Sequence, residues 1–153
     1  TFDSADMASL ESSGSLFDVI IHEMAHVIGF GTLWEIYGLL NDDDNYIGEF
    51  GLAGYQIDQN NVDLTYVPVE QDGGDGTADS HWNEAYGGGD SEIMTGWLDP
   101  NPTISLATIY SFMDLGYVIN PDYYSIEVPE PSTLVLFLFV LLGLKRHKHT
   151  HSQ

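Results

Sequence analysis

Three residues near the start of the chain have the types and spacing that bind a catalytic metal ion. His22, Glu23 and His26 form the pattern His-Glu-x-x-His within residues 17–31. Residues four positions apart share one face of a helix, so both imidazoles can bind the same ion. In sites of this kind two histidines bind zinc, and the glutamate acts as general base toward a bound water. The alternative is a pair of hydrogen-bonded core histidines beside a chance glutamate.

The segment around these residues is apolar on nearly every face, which predicts a buried helix. Its apolar members are Val19, Ile20, Ile21, Met24, Ala25, Val27 and Ile28. Ser15 and Asp18 predict a capping box at its start, and Gly29 and Gly31 predict its end. Asp18 lies one turn before His22 and is a candidate to orient that imidazole.

A tetrahedral zinc ion with one open position needs a third protein ligand. His81 is the one remaining histidine before the basic C-terminus, where His147, His149 and His151 follow an apolar run. Glu35 and Glu49 are carboxylate alternatives, because some zinc sites of this type use a glutamate. The residues alone favour His81 and leave Glu49 open.

The charge of the chain is strongly asymmetric. Its 153 residues include 24 acidic and three basic residues, for a net charge of −21, and Lys145, Arg146 and Lys148 all lie near the C-terminus. Phosphate binding requires cations, so nucleic acid is excluded as a partner. The absence of cysteine excludes disulfides and thiolate metal sites. The first residue is not Met, and we expect a fragment of a longer protein.

The other predicted elements lie in loops rich in glycine and acid. We predict an edge strand at 1–7, a short helix at 32–40, one or two strands within 55–69, and a helix at 103–115 that ends at Gly116. The loops 41–45 and 72–79 offer oxygen atoms that suit Ca²⁺, although they do not have EF-hand spacing. A solvated loop without calcium is the alternative for both.

The C-terminal segment differs from the rest of the chain. Residues 134–144 are uninterruptedly apolar, follow Val-Pro-Glu-Pro-Ser-Thr, and precede the basic cluster. As a helix from residue 132, this run measures about 20 Å, which is shorter than the roughly 30 Å core of a bilayer. Its flanks predict a segment that engages a membrane for sorting, with the basic end inside.

The order of these motifs resembles one branch of the metzincin zinc peptidases. His22-Glu23-x-x-His26-x-x-Gly29 is similar to the first part of the metzincin signature, although Thr32 stands where the third histidine usually lies. The leishmanolysin-like branch has a long insertion before that histidine. This chain then has Ser80-His81-Trp82, followed by Ser91-Glu92-Ile93-Met94-Thr95-Gly96 and a helical segment, all similar to that branch.

The resemblance implies a role for each matching residue. His22, His26 and His81 would bind zinc, Glu23 would be the general base, Met94 would form the hydrophobic floor of the site, and Gly29 would permit the turn after the helix. The fold class implied is α+β, a metzincin-type catalytic domain over residues 1–120 with most of the upstream sheet missing. A linker would follow at 121–131, then a C-terminal apolar helix.

Residues 129–153 resemble the PEP-CTERM sorting signal of Gram-negative bacteria. That resemblance implies export to the cell envelope or exterior, transient contact of the tail with the inner membrane, and processing by an exosortase. Together the motifs predict an exported zinc endopeptidase acting on proteins or peptides. The rival hypothesis is a non-catalytic, acidic surface module that is stabilised by cations and retains the zincin fold.

Overall fold

The described part of the chain is a small α-rich domain. The structure, a computed structural model, describes residues 4–74, 76–86, 91–97 and 99–120. Within them lie four helices: α1 at Ser4–Ser13, α2 at Leu16–Val27, α3 at Glu49–Asp58 and α4 at Leu106–Asp114. The predicted linker, the apolar C-terminal helix and the sorting segment lie outside the described residues. None of the described helices is both long and apolar enough to cross a membrane.

Helix α2 confirms the prediction of a helix around the His-Glu-x-x-His pattern, but not its predicted burial. Ala25 is its one buried residue, whereas Phe17, Met24 and Val27 have 68%, 60% and 85% of their surface exposed. The capping box is also wrong, because Ser15 has helical backbone angles and its side chain accepts no capping hydrogen bond. Gly29 follows the helix with φ +118°, a conformation that favours glycine.

Three other sequence predictions are wrong in the described residues. Residues 4–7, predicted as strand, belong to α1, and residues 55–58, the start of the segment 55–69 that was expected to contain strands, belong to α3. Residues 32–38 form successive turns rather than a helix. Pairing of β type in the described ranges is limited to isolated bridges, such as Tyr46 with Val67 and Val69 with Trp82.

Helices α3 and α4 pack antiparallel and cap each other. Asp114, the last residue of α4, accepts hydrogen bonds from the first-turn amides of Phe50 and Gly51 in α3. Asp58, the last residue of α3, accepts from the amides of Leu106 and Ala107 at the start of α4. Each carboxylate thus satisfies amides that have no partner inside their own helix and complements the helix dipole.

An aromatic core joins the helices to the loops. Trp82 is fully buried, stacks on Trp34 with ring centroids 4.7 Å apart, and meets Phe30 and Tyr46 edge-on at 5.1 and 5.2 Å. Its indole nitrogen donates to the hydroxyl of Thr108 in α4 at 2.8 Å. Because Trp82 is fixed on several sides, the backbone immediately before it is fixed as well.

Candidate metal centre

Three histidines from two distant parts of the chain meet at one point. The Nε2 atoms of His22 and His26 are 3.1 Å apart, and that of His81 lies 3.0 Å from the first and 2.9 Å from the second. His22 and His26 lie one turn apart on α2, so the helix alone sets their spacing. His81 comes from a loop and is 95% buried. These residues form a group that could hold a metal ion.

The other ring nitrogen of each histidine bonds to a backbone carbonyl. The Nδ1 atoms of His22, His26 and His81 lie 2.7, 3.0 and 2.9 Å from the carbonyl oxygens of residues 93, 30 and 77. A carbonyl oxygen only accepts, so each Nδ1 carries the hydrogen and each neutral ring has a bare lone pair on Nε2. Backbone carbonyls therefore orient the rings, and the predicted orienting role of Asp18 is wrong.

Three lone pairs facing one another repel unless a cation lies between them. Burial lowers the pKa of His26 and lowers that of His81 to about 4, so both rings are neutral at neutral pH. Zinc binds imidazole nitrogen at about 2.0–2.1 Å, and ligands at tetrahedral angles then lie roughly 3.3 Å apart. The observed separations of 2.9–3.1 Å lie within a few tenths of an ångström of that spacing. The donor set thus fits zinc.

The loop that carries His81 is held by close backbone packing as well as by Trp82. Gly31 has φ +68°, and a Cβ atom on it would overlap the backbone of Ser80. Glu70 donates its amide to the carbonyl of His81 at 2.9 Å, and its own carbonyl accepts from Asp79 at 2.8 Å. The chain leaving α2 and the loop before Trp82 therefore touch directly, which brings His81 to the helix.

Three further residues were predicted for the site. Glu23 is exposed on α2, next to His22, which leaves its carboxylate accessible to a substrate. Met94 is fully buried, and its carbonyl accepts from the amide of Trp82 at 2.9 Å. Gly29 packs tightly against side chains, since a Cβ there would lie 2.8 Å from Leu33.

The carboxylate alternatives for the third ligand lie elsewhere. Glu49 is exposed in the first turn of α3, and Glu35 is exposed in the turns after α2. Neither belongs to the converging group, which consists of histidines among the residues the structure describes. The acidic loops show no comparable convergence of ligand atoms in those same residues, so calcium stays a prediction.

Sequence reasoning missed the residues that hold the loops in place. Glu92 and Glu70 are buried carboxylates that accept hydrogen bonds from backbone amides, and Gly31 allows the close approach of Ser80. The one available signal was the chain's lack of Lys and Arg before residue 145, which requires any buried carboxylate to be satisfied by N–H and O–H groups. That signal does not say which acids are buried.

Comparison of the chain with protein-family models, with characterised proteins and with solved structures finds no match.

Proposed function

We propose that the chain is the catalytic part of a zinc-dependent endopeptidase of the leishmanolysin-like metzincin type. The observation that carries the proposal is the convergence of the Nε2 atoms of three histidines. Two of these histidines lie on α2, which also carries the exposed Glu23. A structural zinc site is normally closed by four protein ligands, whereas a catalytic site keeps one position open. Three histidines with an adjacent carboxylate correspond to the catalytic kind.

His22, His26 and His81 would hold the zinc ion, which when bound makes water more acidic and polarises a peptide carbonyl. Glu23 then takes the proton from the attacking water and delivers it to the nitrogen of the leaving amine. The backbone carbonyls at residues 30, 77 and 93 keep each Nδ1 protonated, which leaves Nε2 free for the metal. Met94, which is fully buried, would form the hydrophobic floor under the metal.

The proposal includes an exported protein. Residues 129–153 would serve as a PEP-CTERM-type address that contacts the inner membrane of a Gram-negative bacterium transiently and is processed by an exosortase. The motif order in the sequence supports this part, since residues 121–153 lie outside the described structure. The mature enzyme would then act on proteins or peptides at the envelope or outside the cell.

The test measures zinc content and cleavage of casein and a mixed peptide pool by the full chain and by Glu23→Gln. We expect the variant to retain zinc and to lose at least about 100-fold in cleavage rate, the usual contribution of a general base. Glu35→Gln is the matched control, because Glu35 is also exposed but lies outside the histidine group. It should keep both zinc and activity.

Two outcomes would change the assignment. If the wild type and Glu23→Gln both hold zinc and neither cleaves any substrate, the peptidase proposal fails and the acidic surface module becomes the better hypothesis. If His81→Gln retains stoichiometric zinc while Glu49→Gln loses it, the third ligand is Glu49.

A further inference from the structure

Glu92 is a buried carboxylate whose hydrogen bonds connect two separate elements. Its side chain is 4% exposed. One oxygen, Oε2, accepts from the amide of Met94 at 2.5 Å. The other, Oε1, accepts from the amide and hydroxyl of Ser105 at 3.2 and 2.9 Å, and from the hydroxyl of Thr108 at 2.6 Å. The carboxylate thus ties the turn 92–94 to the start of α4.

That turn contacts two of the three histidine segments. The carbonyl of Ile93 accepts from Nδ1 of His22 at 2.7 Å, and the amide of Ile93 donates to Thr103 at 2.9 Å. The carbonyl of the next residue, Met94, accepts from the amide of Trp82, which directly follows His81. The position of one three-residue turn therefore affects His22 on α2 and the backbone next to His81.

We propose that Glu92 is a positioning residue of the metal centre, which it serves by fixing the turn whose carbonyl orients His22. The proposal rests on the proposed zinc-binding function. Glu92 touches neither a substrate nor the converging Nε2 atoms, and it acts through Ile93. Partners that orient metal-binding histidines commonly contribute 10- to 100-fold to metal affinity.

The position requires an acceptor on both oxygens. Glutamine has the same shape, but one of its terminal atoms is an NH₂ donor. If that group faced Met94, two N–H groups would oppose each other and the turn would shift. If it faced α4, the amide of Ser105 would lose its acceptor. The geometry sets this requirement, because the side chain of Glu92 accepts every one of its hydrogen bonds, from Met94, Ser105 and Thr108.

The test compares the wild-type chain with Glu92→Gln by two readouts besides activity. The first is the protonation of the His22 ring nitrogens in the metal-free protein, observed by NMR. The second is zinc affinity, measured by competition with a chromophoric chelator. We expect the Nδ1–H signature of His22 to weaken toward a mixture of tautomers and zinc affinity to fall by roughly tenfold or more.

Asp58→Asn is the matched control. Asp58 also accepts from the start of α4, through the amides of Leu106 and Ala107, but it has no hydrogen bond to the turn 92–94. This variant should reduce stability while leaving the His22 signature and zinc affinity unchanged. Equal losses in both variants would show that general loosening of α4 is the cause, and would overturn the proposal.

Unchanged His22 protonation and unchanged zinc affinity in folded Glu92→Gln would also overturn it. If the wild type binds no zinc, the proposed function fails, while the His22 signature in metal-free protein still decides the role of Glu92. If Glu92→Gln does not fold, Ser105→Ala replaces it, because this change removes one hydroxyl donor to Oε1. A smaller shift in the same direction is expected, and no shift refutes the proposal.

Discussion

Replacing Gly31 by alanine tests whether the close approach of two backbone segments builds the metal centre. Gly31 is buried with φ +68°, and an added Cβ would overlap the carbonyl of Ser80, the residue before His81. Gly38 offers a matched control. Its φ is +66°, nearly the same, but it is exposed and a Cβ there would meet nothing within 4 Å. The two substitutions share the backbone strain and differ in the steric overlap.

The expected magnitudes follow from these two terms. A left-handed conformation costs a non-glycine residue about 1–2 kcal/mol, which is the whole effect expected for Gly38→Ala. At Gly31 the overlap with backbone atoms adds about 1–3 kcal/mol, as overpacking of a rigid interior does. Gly31→Ala should therefore lower the free energy of unfolding by about 2–5 kcal/mol. Displacement of the Ser80–His81 backbone should also weaken zinc binding, by about tenfold for each 1.4 kcal/mol of lost interaction.

The assay is urea unfolding of the metal-free full chain, followed by zinc competition on each variant that remains folded. Gly38→Ala should bind zinc with wild-type affinity. If Gly31→Ala loses no more stability and no more zinc affinity than Gly38→Ala, then the contact between Gly31 and the loop of His81 does not support the site, and the reasoning is wrong.

Three further predictions concern charge. In metal-free protein, the free energy of unfolding should fall as the pH decreases from 6.5 toward 4. Burial lowers the pKa of His81 to about 4 in the folded state, so His81 binds a proton more tightly in the unfolded chain. Urea unfolding at several pH values should show a smaller fall for His81→Gln, and an equal fall would contradict the role of His81. Asp114→Asn should lower the free energy of unfolding in urea by about 1–3 kcal/mol, since Asp114 accepts hydrogen bonds from two α3 amides and a tyrosine hydroxyl. The zinc affinity of this variant should not change. Lysine-flanked peptides should be cleaved with higher kcat/KM than matched glutamate-flanked peptides, because residues 1–144 contain no Lys or Arg and attract positive charge. Added salt screens this attraction and should reduce the ratio of the two kcat/KM values. A ratio that does not change with salt would refute the electrostatic explanation.

The sequence predicted the helix of His22 and His26 because their four-residue spacing is a local property of α-helices. It also predicted α4 closely, since apolar periodicity and Gly116 mark its length and end, and Gly116 indeed has φ +93°. Local patterns failed where tertiary contacts decide the structure. Residues 55–58 have strand-like composition, yet they belong to α3, because Asp114 caps the start of that helix and Asp58 ties its end to α4.

Within the site, the histidines were predictable from residue type and motif order, whereas their orientation was not. Backbone carbonyls at residues 30, 77 and 93 orient the rings. Every residue has a backbone carbonyl, whatever its side chain, so residue type does not show which carbonyls do this. Only the folded path of the loops selects which carbonyls meet the rings. The exposure of apolar side chains on α2 was not predictable either, because the spacing of apolar residues does not show which face of a helix has a packing partner.

The lack of cations explains how this domain holds its buried acids. Glu70 is 95% buried and accepts from the amides of Gln71 and Asp72 through one oxygen, and from Asn83 and Glu84 through the other. Glu92 is satisfied in the same way by amides and hydroxyls. Each glutamate accepts four hydrogen bonds, and together these bonds hold its loop in place. One of these loops carries His81 and the other orients His22, so the two hydrogen-bonded carboxyl groups help to position both histidines. Within the described residues, no N–H or O–H group from outside the three histidines donates to their Nε2 atoms, which is the physical reason that a metal cation fits there.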